Sequence, residues 1–163
     1  MSDRYCAWIR IGGRIERSKL GPLLGEIQAA GVSLGWGEPP FEPTSVDALV
    51  DAKKDDILQL CDNQARNGEF PELEEVCREL ELAYTRFCEA YCGYDAEIVD
   101  FRPGMKEPLI RTCSNEGSDI VLVDAATVKE ALTSLEAGRT QEAIAKLRSL
   151  CPQISDLPPF EIV

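Results

Sequence analysis

The chain has 163 residues, of which 44% are hydrophobic and 28% charged, a composition that fits one folded globular domain and argues against disorder. Its 29 acidic residues outnumber its 17 basic ones, for a net charge of −12. That sign works against direct binding to nucleic acid and to anionic membranes, where cations supply the affinity, and favours a basic protein surface as partner.

Residues 5–11 alternate, with Tyr5, Ala7, Ile9 and Ile11 on one side and Cys6, Trp8 and Arg10 on the other, so they read as a strand, ended by Gly12-Gly13. Ser18 is the expected N-cap of a helix whose Leu20, Leu23, Leu24 and Ile27 share one face. Pro22 suits its first turn, and Gly31 its C-terminal end. Residues 32–36 then read as a second strand. Three prolines within 38–44 make an extended loop, and Ser45 caps a short helix carrying Val46, Leu49 and Val50. The apolar run 57–61 reads as a central strand, and 62–68 as a polar loop. Pro71 opens a helix with the stripe Leu73, Val76, Cys77 and Leu80. Beyond it two readings compete. The stripe continues through Tyr84, Phe87, Cys88 and Tyr91 as a single helix of about six turns, or residues 82–88 alternate as a strand. The strand is favoured, because it completes a second β-α-β unit in the order of a ferredoxin-like sheet.

Residues 97–101 read as another strand, and 109–113 with 120–123 as a hairpin around Asn115-Glu116-Gly117. Asp124 and Thr140 are expected to cap two helices, ended by Gly138 and Pro152, and the apolar tail 157–163 to dock on the body. The fold class expected is α+β: a mixed or antiparallel sheet with helices packed on one face, followed by a β-hairpin and a helical hairpin. Residues 1–124 form the core domain and 125–163 the helical hairpin and docked tail, together one compact unit.

Chemistry is constrained most by an absence: there is no histidine. Ser-His-Asp and Cys-His catalysis, the common zinc-hydrolase sites and the usual general base near neutral pH are all removed, so the sequence leans away from an enzyme. The seven cysteines are odd in number and follow no disulfide framework. MSDRYC has no basic stretch leading into an apolar one, and no apolar run approaches the ~20 residues of a membrane span. A cytoplasmic protein with reduced thiols is expected. Cys88 and Cys92 lack the second pair that a zinc site requires. The glycines of Ile11-Gly12-Gly13-Arg14 and Gly35-Trp36-Gly37 match no phosphate-binding pattern. Neither metal nor cofactor is expected.

The acidity is concentrated. Residues 69–100 hold ten acids against Arg78 and Arg86, a net of −8, whereas residues 1–37 carry +2. On the helix opened by Pro71, Glu72, Glu75 and Glu79 lie opposite the apolar stripe. The leading expectation is a non-catalytic interaction protein that binds a basic protein surface through these glutamates. Its narrower form is a decoy from a phage or mobile element, imitating the charge of nucleic acid. Two alternatives stand beside it. One is a small carboxylate-dependent enzyme or ligand-binding domain with its site at Asp62 and Glu69. The other is an accessory domain that forms a homodimer through an exposed sheet edge.

Overall fold

The computed structural model describes residues 3–90, 93–114 and 117–163. Strand β1 (Arg4–Ile15) is the axis of the sheet, pairing antiparallel with β2 (Leu58–Arg66) on one edge and β3 (Ala83–Cys88) on the other. From β3 the strands β4 (Ala96–Phe101), β5 (Leu109–Ser114) and β6 (Gly117–Val121) continue outward as an antiparallel meander. The order is β2-β1-β3-β4-β5-β6, and β7 (Phe160–Ile162) adds in parallel to the end of β1. Among the described residues five helices complete the α+β fold: α1 (Gly21–Ala30), α2 (Val46–Asp51), α3 (Pro71–Glu79), α4 (Ala125–Glu136) and α5 (Thr140–Leu150).

One face of the sheet carries the core. Ile9 and Ile11 of β1, Leu58 and Leu60 of β2, Tyr84 of β3, and Val99 and Phe101 of β4 pack against Leu23 and Ile27 of α1, Leu49 of α2, and Leu73 and Cys77 of α3. Each fully buried aliphatic or aromatic side chain contributes about 1.5–3 kcal/mol, enough to hold short helices that would not form alone. α4 and α5 pack chiefly on each other. From α5 the chain returns across the opposite face of the sheet as an extended strap, residues 151–159. Arg102 Nε holds the strap by donating to the Ser155 carbonyl at 2.9 Å, and the Gly13 N–H does so by donating to the Pro159 carbonyl at 3.0 Å.

Several local expectations hold. Residues 83–88 form a strand, buried on both faces as a central strand must be, and the single-helix alternative falls. The 109–121 hairpin forms, although Asn115 and Glu116 of its expected turn lie outside the described residues. Ser45 accepts the Ala48 N–H, Asp124 accepts those of Ala126 and Thr127, and the tail docks through Phe160.

Other expectations are corrected. β1 does not stop at Gly12-Gly13: Gly12 pairs with Ala83, and Gly13, at φ +117°, pairs with Phe160 of β7. A side chain at Gly12 would overlap the Pro158 carbonyl of the strap, so this glycine answers a segment almost the whole chain away. Ser18 lies in a 3-10 turn (Arg17–Lys19), and Leu20 occupies the N-cap of α1. Residues 32–36 reduce to one bridge, Ser33 with Cys61, before the Gly35-Trp36-Gly37 turn bends the chain away. The ferredoxin-like order therefore does not form, and α1 and α2 instead link two antiparallel neighbours. Residues 62–66 are not a loop but the end of β2. Their polarity reflects an edge strand with a bulge, in which Asn63 and Gln64 oppose Cys6. Thr140 is the first residue of α5 and not its cap, a place taken by Arg139.

Candidate functional site

The expected site residues of α3 come out where the stripe dictates. Leu73, Val76 and Cys77 are buried and Glu72, Glu75 and Glu79 exposed. Packing of α1 alongside α3 adds a fourth carboxylate, Glu26, and the four line one shallow recess of about 370 Å³ with Pro71 and Val76. Arg78 pairs with Glu75 and donates to the Tyr84 hydroxyl at 3.2 Å. The Glu75 hydrogen bond holds the Arg78 pKa above its ordinary value. Glu26, Glu72 and Glu79 have no ion-pair partner among the described residues. Three carboxylates without an ion-pair partner among the described residues thus line one recess, which makes it locally negative and attractive to a cationic partner.

Not every acid between 69 and 100 faces out. Glu74 turns into the core, where its carboxylate meets Arg86 Nε at 2.9 Å and accepts hydrogen bonds from the Phe70 N–H and the Tyr84 hydroxyl, both at 3.2 Å. Arg86 also reaches Glu97 at 2.6 Å and donates to the Gly68 carbonyl at 2.7 Å. Burial works against the Arg86 cation, but Glu74 and Glu97 outweigh it and raise its pKa. Burial, followed by the Glu74 charge, pushes the Tyr84 phenol up. This network ties α3 to β3 and β4, and so sets which glutamates of α3 point outward.

Asp62 and Glu69, the expected alternative site, do share a recess of about 390 Å³ at the end of β2 and the start of α3. Arg4, Arg66 and Glu72 line it too, so its charges come close to balancing. The Asp62 carboxylate accepts the Gln64 N–H at 2.8 Å, a local turn contact.

A second cluster was not singled out by its sequence spacing. On the strap side of the sheet, Asp100 is 3% exposed. It accepts from Thr85 Oγ1 at 2.7 Å and Arg111 Nη2 at 2.5 Å, with Arg102 Nη2 at 3.4 Å. Burial lowers the Arg102 pKa despite the Asp100 charge. Trp8 lies between Phe87, stacked at 5.5 Å, and the Arg10 guanidinium at 4.6 Å.

Among the described residues no group of three or more His, Cys, Asp or Glu side chains could hold a metal ion, and no helix is long and apolar enough to cross a membrane. Cys6, Cys61, Cys77, Cys88, Cys113 and Cys151 are free thiols, and Cys92 lies outside the described residues. No protein-family model matches the chain, and no curated protein or solved structure matches it.

Proposed function

We propose that this is a non-catalytic cytoplasmic interaction protein that engages a basic protein surface through the α1/α3 glutamates. The observation that carries this reading is the convergence of Glu26 from one helix with Glu72, Glu75 and Glu79 from another, three of the four without an ion-pair partner among the described residues. Such a strip attracts cationic faces over several Å, raises association rates and sets orientation. The decoy is its narrower form, in which the covered surface otherwise holds nucleic acid.

The test compares wild type with the triple variant Glu72→Lys, Glu75→Lys, Glu79→Lys. All three side chains are exposed, so the variant should keep the wild-type circular dichroism and lose only about 1–2 kcal/mol, from the Glu75–Arg78 pair and the first-turn position of Glu72. A partner captured by wild type, identified and purified, should bind it more weakly as salt shortens the screening length from ~10 Å at 0.1 M to ~3 Å at 1 M, and should not bind the variant. Undiminished, salt-insensitive binding to the variant sinks the proposal. Displacement of the protein from its partner by duplex DNA supports the decoy form, and simultaneous binding of both excludes it.

A homodimer is a second reading favoured by a separate observation. β6 is an outer strand, and among the described residues seven of the eleven exposed large hydrophobic residues fall on β5, β6, the chain after β6, and α4–α5: Ile110, Ile120, Leu122, Val123, Leu132, Leu135 and Leu147. A second copy pairing with that edge would satisfy its unpaired backbone groups. Light scattering across a concentration series decides it: a constant monomer mass up to ~100 μM, well above typical dissociation constants of stable dimers, removes the reading.

A further inference from the structure

The strap forms one wall of an open cleft of about 510 Å³ on the sheet, within the ~300–1,000 Å³ typical of small-molecule sites. Its charge is opposite to that of the chain. Arg10, Arg102 and Arg111 line it against Asp100 and Asp156, a net of +1 in a protein of −12, whereas the two recesses beside α3 are net negative.

The three arginines are not equivalent. Arg102 has spent its donors inside the protein: Nε on Ser155, Nη1 on the Tyr84 and Phe101 carbonyls, and Nη2 on Thr85 and Asp100. It positions the strap. Arg111 is only half used. Its Nη2 meets Asp100 and its Nε is buried out of reach of the cleft, so Nη1, without a partner among the described residues, is the donor left for a ligand. Arg10 donates through Nε to Gln59 at 2.8 Å, and its two terminal nitrogens have no acceptor among the described residues. Buried charge persists when it is paired, and here one carboxylate sits between two guanidiniums on the cleft floor. Beside these charges the lining is mixed: apolar Ile98 of the sheet and Ile154 and Leu157 of the strap alternate with polar Thr85, Gln153 and Ser155.

We propose that this cleft binds a small organic anion, a carboxylate or phosphate on a compact apolar body, with its charged head on Arg111 and Arg10 and its body between Ile98 and the strap. A guanidinium fork suits either head group, because both offer paired oxygens at matching spacing. The site lies across the sheet from the glutamate strip, and its existence does not depend on the interaction reading.

Trp8 lines the cleft, and the chain has one other tryptophan, Trp36. In a Trp36→Phe background, emission therefore reports on Trp8 alone. Phenyl phosphate and benzoate are titrated separately, with benzyl alcohol as the uncharged control. Saturable change is expected with at least one anion and not with the alcohol, and the preferred anion identifies the head group. Arg111→Gln should weaken binding about tenfold or more, as expected for loss of a charge-assisted contact. Arg10→Gln, on the exposed rim, should weaken it without touching the fold, and decides the matter if Arg111→Gln lowers the melting temperature. No saturation by either anion up to ~20 mM, a concentration corresponding to barely measurable affinity, overturns the proposal. So does equal binding of benzyl alcohol, or unchanged affinity in the Arg10→Gln variant.

Discussion

Replacing Arg86 by methionine isolates the interaction that orients α3. The Arg86 side chain is 4% exposed and that of Glu74 11%, with 2.9 Å between them. At an effective dielectric of about 20, charges ~4 Å apart attract by ~4 kcal/mol, and removing both ions from water costs a comparable amount. The intact pair is therefore close to neutral against an apolar pair, and what costs is breaking it. Arg86→Met leaves the Glu74 carboxylate in the core with only the Phe70 N–H and the Tyr84 hydroxyl, and strips the Gly68 carbonyl of its donor. Glu97, about one-third exposed, can turn to water. A loss of about 3–5 kcal/mol follows, a large share of the ~5–15 kcal/mol of a typical domain. The double variant Glu74→Met/Arg86→Met removes both charges and should lose only ~1–2 kcal/mol, the cost of the neutral groups left unpaired. Urea unfolding followed by circular dichroism supplies the four corners of the cycle, and a coupling energy of at least ~2 kcal/mol is expected between groups in direct contact. Additive losses, or a single-variant loss below ~1 kcal/mol (the usual range for an exposed pair), would refute the buried-pair account.

Gly12→Ala should dislodge the strap, because the new methyl meets the Pro158 carbonyl. Overpacking of this kind costs ~1–3 kcal/mol, and limited proteolysis should cut within 151–159 faster than in wild type; an unchanged melt and cleavage pattern would contradict the close approach. Stability should also fall at alkaline pH. Burial pushes the Cys113 thiol from 9.0 to about 11, so between those values the unfolded chain gives up a proton that the folded chain keeps. Folding is then favoured fully below pH 9 and progressively less up to 11. Urea midpoints measured across that window should slope downward, and Cys113→Ala should flatten the slope; a midpoint that rises with pH contradicts the assignment.

What could be read from the sequence was what depends on near neighbours. The α3 stripe, the caps at Ser45 and Asp124 and the alternation of 83–88 are each written within a few residues. Failures came where a distant segment decides. Gly12 looks like a strand terminator until the strap is known to cross it. The polar stretch 62–66 looks like a loop because an edge strand carries polar side chains on its solvent side. Glu26 is an unremarked acid on α1 until α3 packs beside it, and Glu74 belongs by spacing with the outward acids until β3 brings Arg86 beneath it. The cleft had a trace in the sequence, since Trp8 and Arg10 fall on the side of β1 opposite its apolar residues. Linking them to Thr85, Asp100 and Arg111 requires the registers Arg10 to Thr85, Thr85 to Asp100 and Ile98 to Arg111, which no single strand contains.

The same registers explain how a chain of net −12 presents a cationic cleft. Of the ten acids between 69 and 100, Glu74 and Glu97 are held by Arg86, and Asp100 by Arg102 and Arg111. Glu75 pairs with Arg78 at the surface, and with Glu72 and Glu79 it joins Glu26 on the helical layer. Arg10 of β1 and Arg111 of β5, with Arg102 just after β4, sit on the other side of the sheet. A helix is ~10 Å across and packs ~10 Å from a sheet, which separates the glutamate strip from the cleft by roughly 20 Å. At 0.15 M salt the screening length is ~8 Å, so exposed charges at the two sites hardly sense one another. Reversing Glu72, Glu75 and Glu79 to lysine should therefore leave anion binding in the cleft within about twofold at that ionic strength, as expected for sites that far apart. A larger change would mean that the two layers are coupled through the buried Glu74–Arg86 network, and the Glu74→Met/Arg86→Met double variant, with that network gone, would then remove the coupling.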